Sequence, residues 1–382
     1  MMRRIYLDNA ATTYPKPEAV YRVADSSFRA GGSAGRGGHY FSRAAAELIY
    51  DARDQVARFF CVNHSERIVF TANATHALNF ALFGLIEAGM TVVTTAVEHN
   101  AVVRPLNELA RVRNIKIVPT KCDDRGRIDL VDFERNCRSA DIVVTLHASN
   151  VSGIVFPLSE LAAIAARYKL PYIVDASQTA GSELIEVDQL ELAALACSGH
   201  KNLYGAQGCG VLAVGKNRVI KPLLFGGTGS QSESAAMPEY LPDALESGTQ
   251  NTAAIATLAA GIDFIETTGR EVIHKHKAKL ADFLRRELAN IANVKIHGAT
   301  IKDERTNVVA FTVKSLDCGE IAWRLDDAFG IAVRPGLHCS PWAHQTLGTL
   351  QTGTIRMSPG WFNTAAEMEA VVEAVRILAG KL

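Results

Sequence analysis

Several polar side chains of the sequence stand where chemistry is possible. Lys201, in ACSGHKNLYGAQGCG, lies between an apolar segment and a glycine-rich turn rather than on a polar helix face. A lysine in a desolvated place loses its proton readily and can form a Schiff base. Asp175 closes the apolar run PYIVD. A carboxylate there needs a cationic partner, since an isolated buried charge is strongly disfavoured. A protonated pyridine nitrogen would serve, as would an arginine or a lysine. Gln178, about a helical turn further, could reach a substituent on such a ring. His99 follows TVVTT in AVEHN and could lie against a flat ring and handle protons, or cap a helix. Asn150, in HASNVSG, ends DIVVTL in the same way. Ser198 and His200 flank Lys201 with groups suited to phosphate.

RIVF runs into Thr71-Ala72-Asn73-Ala74-Thr75 before a helical pattern. The free N–H groups and positive dipole end of a helix start suit a phosphate, with Ala74 in the turn and Thr75 adding a hydroxyl. The same residues would also make an ordinary helix cap. Late in the chain, Arg356 of GTIRMSPGWFNT could grip a carboxylate with two prongs. Cys339 of VRPGLHCSPWAH follows a Pro-Gly turn and is expected in a loop. Neighbours on extended backbone point apart, so His338 is not expected to pair with it.

These residues need a frame. Short β-branched runs (RIVF, TVVTT, KIVPT, DIVVTL, PYIVD, GVLAV) alternate with segments of helical spacing such as THALNFALFGLIEAG and LSELAAIAARYKL. That alternation predicts an α/β architecture, a mostly parallel sheet with helices on both faces. Ligands of such sheets bind beyond the carboxyl ends of the strands, where most of the polar residues above fall. After about residue 255 come long helical patterns, two strand candidates (VKIHG and TNVVAFTVK) and a closing amphipathic helix, an α+β pattern. We expect a large domain over residues 15–255 and a smaller one built from 1–14 and 256–382, since one core rarely grows past about 250–300 residues. Glycine-rich loops at 30–40 and 225–234 are candidates for function.

Composition narrows the classes. Lys+Arg and Asp+Glu are equal at 40 each, and 48% of the 382 residues are hydrophobic. Nothing calls for a nucleic-acid or membrane partner. No apolar run has the length of a signal peptide or a membrane span, so a cytoplasmic protein is expected. The seven cysteines are odd in number, scattered and without C-x-x-C, which argues against a disulfide framework or a zinc site; no metal is expected. Neither G-x-G-x-x-G nor G-x-x-x-x-G-K-[ST] occurs, so a generic nucleotide-binding protein has no support.

YLDNAATT, FTANATHALN, VEHN, SNVSG, VDASQ, SGHKNLYG, ESGTQN, GLHC and IRMSPGWFN follow one another over nearly the whole chain. With these motifs the sequence resembles the cysteine desulfurases of the class V aminotransferases, fold-type I pyridoxal 5′-phosphate (PLP) enzymes, which implies a PLP-dependent transferase-like fold with a mostly parallel seven-stranded sheet flanked by helices and a smaller α+β domain. The resemblance implies that Lys201 forms the Schiff base and shuttles protons, that Asp175 pairs with the pyridine nitrogen, that His99 stacks on the ring and that Gln178 meets the phenolic oxygen. It implies phosphate binding by Ala74, Thr75, Ser198 and His200, joined by Thr249 from the partner subunit of a homodimer. Asn150 and Arg356 would hold the carboxylate of L-cysteine, and Cys339 would take the sulfur as a persulfide for an acceptor protein. Some relatives carry Gly-Thr-Thr where this chain has Asn73-Ala74-Thr75, and GLHCSPWAH differs from the best-known cysteine loops. A selenocysteine lyase, another class V aminotransferase or lyase, and a non-catalytic scaffold or regulator are the alternatives.

Overall fold

The computed structural model describes residues 4–35 and 37–380; Arg36, within the 30–40 glycine-rich loop, and residues 1–3 and 381–382 lie outside the described residues. The chain begins with β1 (Ile5–Tyr6), α1 (Glu18–Ala30) and α2 (Tyr40–Phe59). It then alternates through β2 (Ile68–Thr71), α3 (Ala74–Leu85), β3 (Thr91–Thr95), α4 (Asn100–Arg113), β4 (Lys116–Thr120), α5 (Leu130–Cys137), β5 (Ile142–Leu146), α6 (Leu158–Arg167), β6 (Tyr172–Asp175), β7 (Ala194–Ser198) and β8 (Gly210–Val214). The later part holds α7 (Thr252–Thr268), α8 (Arg270–Ala289), β9 (Val294–His297), β10 (Val309–Val313), α9 (Cys318–Phe329), β11 (Ile331–Ala332), β12 (Arg334–Gly336), α10 (Pro341–Thr346), β13 (Thr354–Met357) and α11 (Ala365–Ala379).

The main sheet has seven strands in the order β2-β8-β7-β6-β5-β3-β4. All pairs are parallel except those of β8, which runs antiparallel to both β2 and β7. The sequence pattern explains why both faces are covered. Along β5, Val143 enters one apolar cluster, with α2, α5 and α6, while Ile142 and Val144 enter another, with α3 and α4. Successive side chains point to opposite faces, and a run apolar at every position must bury both.

A second, antiparallel sheet runs β12-β13-β10-β9. Its core takes residues from α8, α9 and α11 together with Ile5 and Leu7 from the start of the chain. β1 pairs in parallel with β11, and Asp8 bridges Ser358. The opening LDNAATT motif is thereby carried from the second sheet to the edge of the first. All seven cysteines are unpaired thiols. Among the described residues, no helix is long and apolar enough to cross a membrane.

Candidate active site

Five strand ends supply one pocket. Beyond β2 the turn at Asn73 starts α3; beyond β3 stands His99; beyond β5 come Ala148 and Asn150; β6 ends in Asp175, followed by Ser177 and Gln178; β7 ends in Ser198, followed by His200 and Lys201. With Ala74, Thr75, Ala101 and Leu146 these residues line a cavity of about 180 Å³. It lies at the carboxyl edge of the parallel strands, where the fold class places ligands.

Helix capping aims two of these residues. Asn73 Oδ1 accepts the His76 N–H at 3.0 Å, and Ser198 Oγ accepts the Ala74 N–H at 3.4 Å. The Thr75 N–H meets no acceptor among the described residues, and Thr75 lines the pocket at a positive helix end. Gly210 makes this turn possible. A Cβ there would stand 2.5 Å from the Asn73 carbonyl carbon, so β8 can pass the turn only as glycine. His99 is the N-cap of α4, its Nδ1 accepting the Ala101 N–H at 3.0 Å. A ring nitrogen that accepts is unprotonated, so the neutral ring carries its proton on Nε2. Burial above all, with Lys201, Arg356 and Arg104 nearby, pushes His99 down to about 4, against the pull of Asp175.

Asp175 is buried, and its Oδ1 accepts the Ser177 N–H at 2.9 Å. The Lys201 amine is held below its ordinary value, first by burial and further by Arg356 and Arg334, while Asp175 and Cys339 oppose the shift. Gln178 Nε2 donates to Ala10 O at 3.1 Å. Thr13 and Lys16 fasten the lysine turn from below, with Thr13 Oγ1 donating to Lys201 O at 3.0 Å and Lys16 Nζ to His200 O at 2.7 Å.

Arg356 and Cys339 flank the cavity. Arg356, buried on β13, donates to Asn150 O at 3.1 Å and to Asp8 Oδ1 at 3.0 Å. Arg334 of β12 grips the same Asp8 through Nε at 2.9 and 3.1 Å. Asp8 and Arg334 were given no role by sequence reasoning. Both lie in quoted motifs, YLDNAATT and VRPGLHC, but nothing in the sequence pairs them. Cys339 is exposed, in the turn between β12 and α10, with φ of 58°. Its carbonyl accepts the Asn100 N–H at 2.8 Å, which sets it next to His99. The amide of Asn150 is turned toward this loop: Nδ2 donates to His338 O at 2.8 Å and Oδ1 accepts from Ser340 Oγ at 2.7 Å. Only one of its N–H groups remains for a substrate. Thr249 is not among the pocket residues; it lines a separate cavity with Thr71, His76 and Glu246.

The model of the aminotransferase class-V family matches residues 5–371. The chain belongs to that family. It is 31% identical to a probable cysteine desulfurase of Pyrococcus abyssi, over 99% of this chain and 95% of the relative. The structure of the apo cysteine desulfurase from Thermococcus onnurineus NA1 superposes with a TM-score of 0.93 at 32% identity, covering 99% of this chain and 95% of that one. The cysteine desulfurase CsdA of Escherichia coli gives a TM-score of 0.87 at 26% identity, with 99% and 95% covered. The family's cofactor is PLP, and the donor set suits it. A desolvated amine, a carboxylate at a strand end and a helix start with a spare N–H match its aldehyde, its pyridine nitrogen and its phosphate. Among the described residues, His200 Nδ1 and Arg356 Nε are buried without a hydrogen-bond partner, which leaves both able to serve an added ligand.

Proposed function

We propose that this protein is a PLP-dependent cysteine desulfurase that converts L-cysteine to L-alanine and leaves the sulfur as a persulfide on Cys339. The convergence of the Lys201 amine, the Asp175 carboxylate and the exposed Cys339 thiol carries this reading. Lys201 would hold the cofactor covalently, Asp175 its pyridine nitrogen, Gln178 its phenolic oxygen and His99 the ring face. Ala74, Thr75, Ser198 and His200 would hold its phosphate, with Thr249 of the partner subunit. The bound cofactor supplies a sink for the electrons released at the substrate's Cα.

The chain's own groups do the rest. Arg356, with the remaining Asn150 N–H, receives the substrate carboxylate. Lys201, whose amine burial holds below its ordinary value, takes the Cα proton and returns it to Cα as alanine forms. The Cys339 thiolate attacks the substrate sulfur. A sulfur–sulfur bond forms as the substrate's Cβ–S bond breaks, and the carbon that keeps the electron pair takes a proton to become the methyl group of alanine. A free thiol has a pKa of ~8.5, so the attack requires loss of the thiol proton; Arg356 and Arg334 lie near Cys339. An exposed persulfide is open to an acceptor protein, with iron–sulfur cluster assembly among the destinations.

The test is the absorbance spectrum of the purified holoenzyme before and after L-cysteine, with alanine quantified, for wild type and Cys339→Ala. The variant should keep the cofactor absorbance and release no sulfide or alanine. Alanine formation by Cys339→Ala at the wild-type rate, or turnover only with an added keto acid, would overturn the assignment.

A further inference from the structure

The loop that carries Cys339 is held by a hydrogen-bonded chain to which none of the roles above appeals. His338 Nε2 lies 3.1 Å from Arg334 O, His338 Nδ1 lies 3.2 Å from His344 Nε2, and His344 Nδ1 lies 2.8 Å from Thr349 Oγ1. The two rings stack with centroids 5.4 Å apart and planes 20° apart, and both histidines are buried.

The proton positions follow from the end of the chain. A carbonyl oxygen only accepts, so His338 Nε2 carries a hydrogen and donates to Arg334 O. A neutral His338 then has a bare Nδ1, which must receive the Nε2–H of His344. That leaves His344 Nδ1 bare, to accept the Thr349 hydroxyl. A second proton on His338 would set N–H against N–H between the rings. The surroundings oppose that proton: burial, then the guanidiniums of Arg356 and Arg334 with His344, push His338 down to about 3, and burial pushes His344 down to about 4.

The chain secures a backbone that needs securing. His338 and Cys339 are consecutive residues in the left-handed region, with φ of 52° and 58°, where side chains other than glycine are strained. Asn150 and Asn100 hold the pocket side of this turn; the two rings hold its buried side.

We infer that His338, His344 and Thr349 form a neutral brace that fixes the Cys339 thiol beside the pocket, which makes His344 and Thr349 positioning residues for sulfur transfer although neither lines the pocket. The inference rests on the desulfurase reading and specifies which residues that reading requires behind the nucleophile.

The test uses the holoenzyme with His344→Ala, His344→Gln and Thr349→Val. His344→Ala should lower kcat for alanine release roughly tenfold or more, because a misplacement of about 1 Å costs on the order of 100-fold. Its cofactor spectrum and its KM for L-cysteine should be unchanged, and chymotrypsin should cut after Leu337 faster than in wild type. His344→Gln keeps an N–H for His338 Nδ1 and should recover most of the loss. Thr349→Val, which frees the His344 tautomer, should fall between them and decides the matter if His344→Ala does not fold. A well-folded His344→Ala with wild-type kcat and protection, or a Gln variant as impaired as Ala, overturns the brace. A wild-type protein that makes no alanine sinks the desulfurase reading instead, and the cleavage rates then judge the brace alone.

Discussion

Two guanidinium groups share one carboxylate at the site, which leaves a net positive charge where the proposed function would dock a substrate carboxylate. Asp8 takes Arg334 and one prong of Arg356, and the Nε of Arg356 has no partner among the described residues. A hydrogen bond to a charged group is worth ~1.5–3 kcal/mol, and a lysine cannot reproduce the planar fork. Arg356→Lys is therefore expected to raise KM for L-cysteine by roughly 10–100-fold while the cofactor spectrum stays as in wild type. Steady-state kinetics decide it, and an unchanged KM removes Arg356 from substrate binding. Legibility at this scale divides along the same residues. Lys201, Asp175, His99 and Ser198 could be read because each ends or follows an apolar strand run. Asp8 and Arg334 could not, because each finds its partner in a distant part of the chain, and His344 could not, because its partners His338 and Thr349, though near in sequence, stand on turns without a period of their own. Asp8 and Arg356 are 348 positions apart.

Turns between elements are where the fold sets the chemistry. In β8, Gly210 leaves the space that the Asn73 turn fills. Gly210→Ala should push that turn off the start of α3 and weaken phosphate retention, seen as faster loss of the cofactor absorbance on dialysis; retention equal to wild type would mean that β8 yields instead. In the β3–α4 turn, Glu98 is fully buried. It accepts Thr95 Oγ1 at 2.6 Å and the Leu146 N–H at 3.0 and 3.1 Å, and burial raises it from 4.5 to about 8. Near neutral pH the folded protein holds a proton there that the unfolded chain has lost. Glu98 thus contributes stability that is fully present below about 4.5 and declines as pH rises toward 8, by at most ~1.4 kcal/mol per pH unit. Glu98→Gln should flatten the urea-midpoint profile across that window, and an unchanged slope would show that Glu98 is ionised. The pattern that predicted β3, β4 and β8 residue by residue was blind to β1, β11 and β12, since two or three residues carry no period.

At the scale of the molecule, the two sheets meet where the chemistry is placed. Asp8 joins the opening motif to Arg356 on β13, and Lys277 of α8 donates to Asn202, next to Lys201, at 2.8 Å. Thr249 lines a cavity other than the one that Lys201 lines. Phe28 on α1, Tyr40 at the start of α2 and Phe225 are 78%, 70% and 74% exposed. If Thr249 serves the partner subunit's site, complementation reveals it. Thr249→Ala homodimers lose one phosphate contact per site and should need roughly 10–100-fold more cofactor for half-maximal activity. Lys201→Ala homodimers should be inactive. A heterodimer of the two, isolated with two affinity tags, combines in one site the intact Lys201 of the first chain with the intact Thr249 of the second, and leaves the other site with neither. That heterodimer should show about half the wild-type activity at limiting cofactor, since one of two sites is complete. If Thr249 acted on its own chain's site, every lysine-bearing site would lack the hydroxyl. The heterodimer would then show only half the activity of Thr249→Ala, so one titration with cofactor separates the two arrangements.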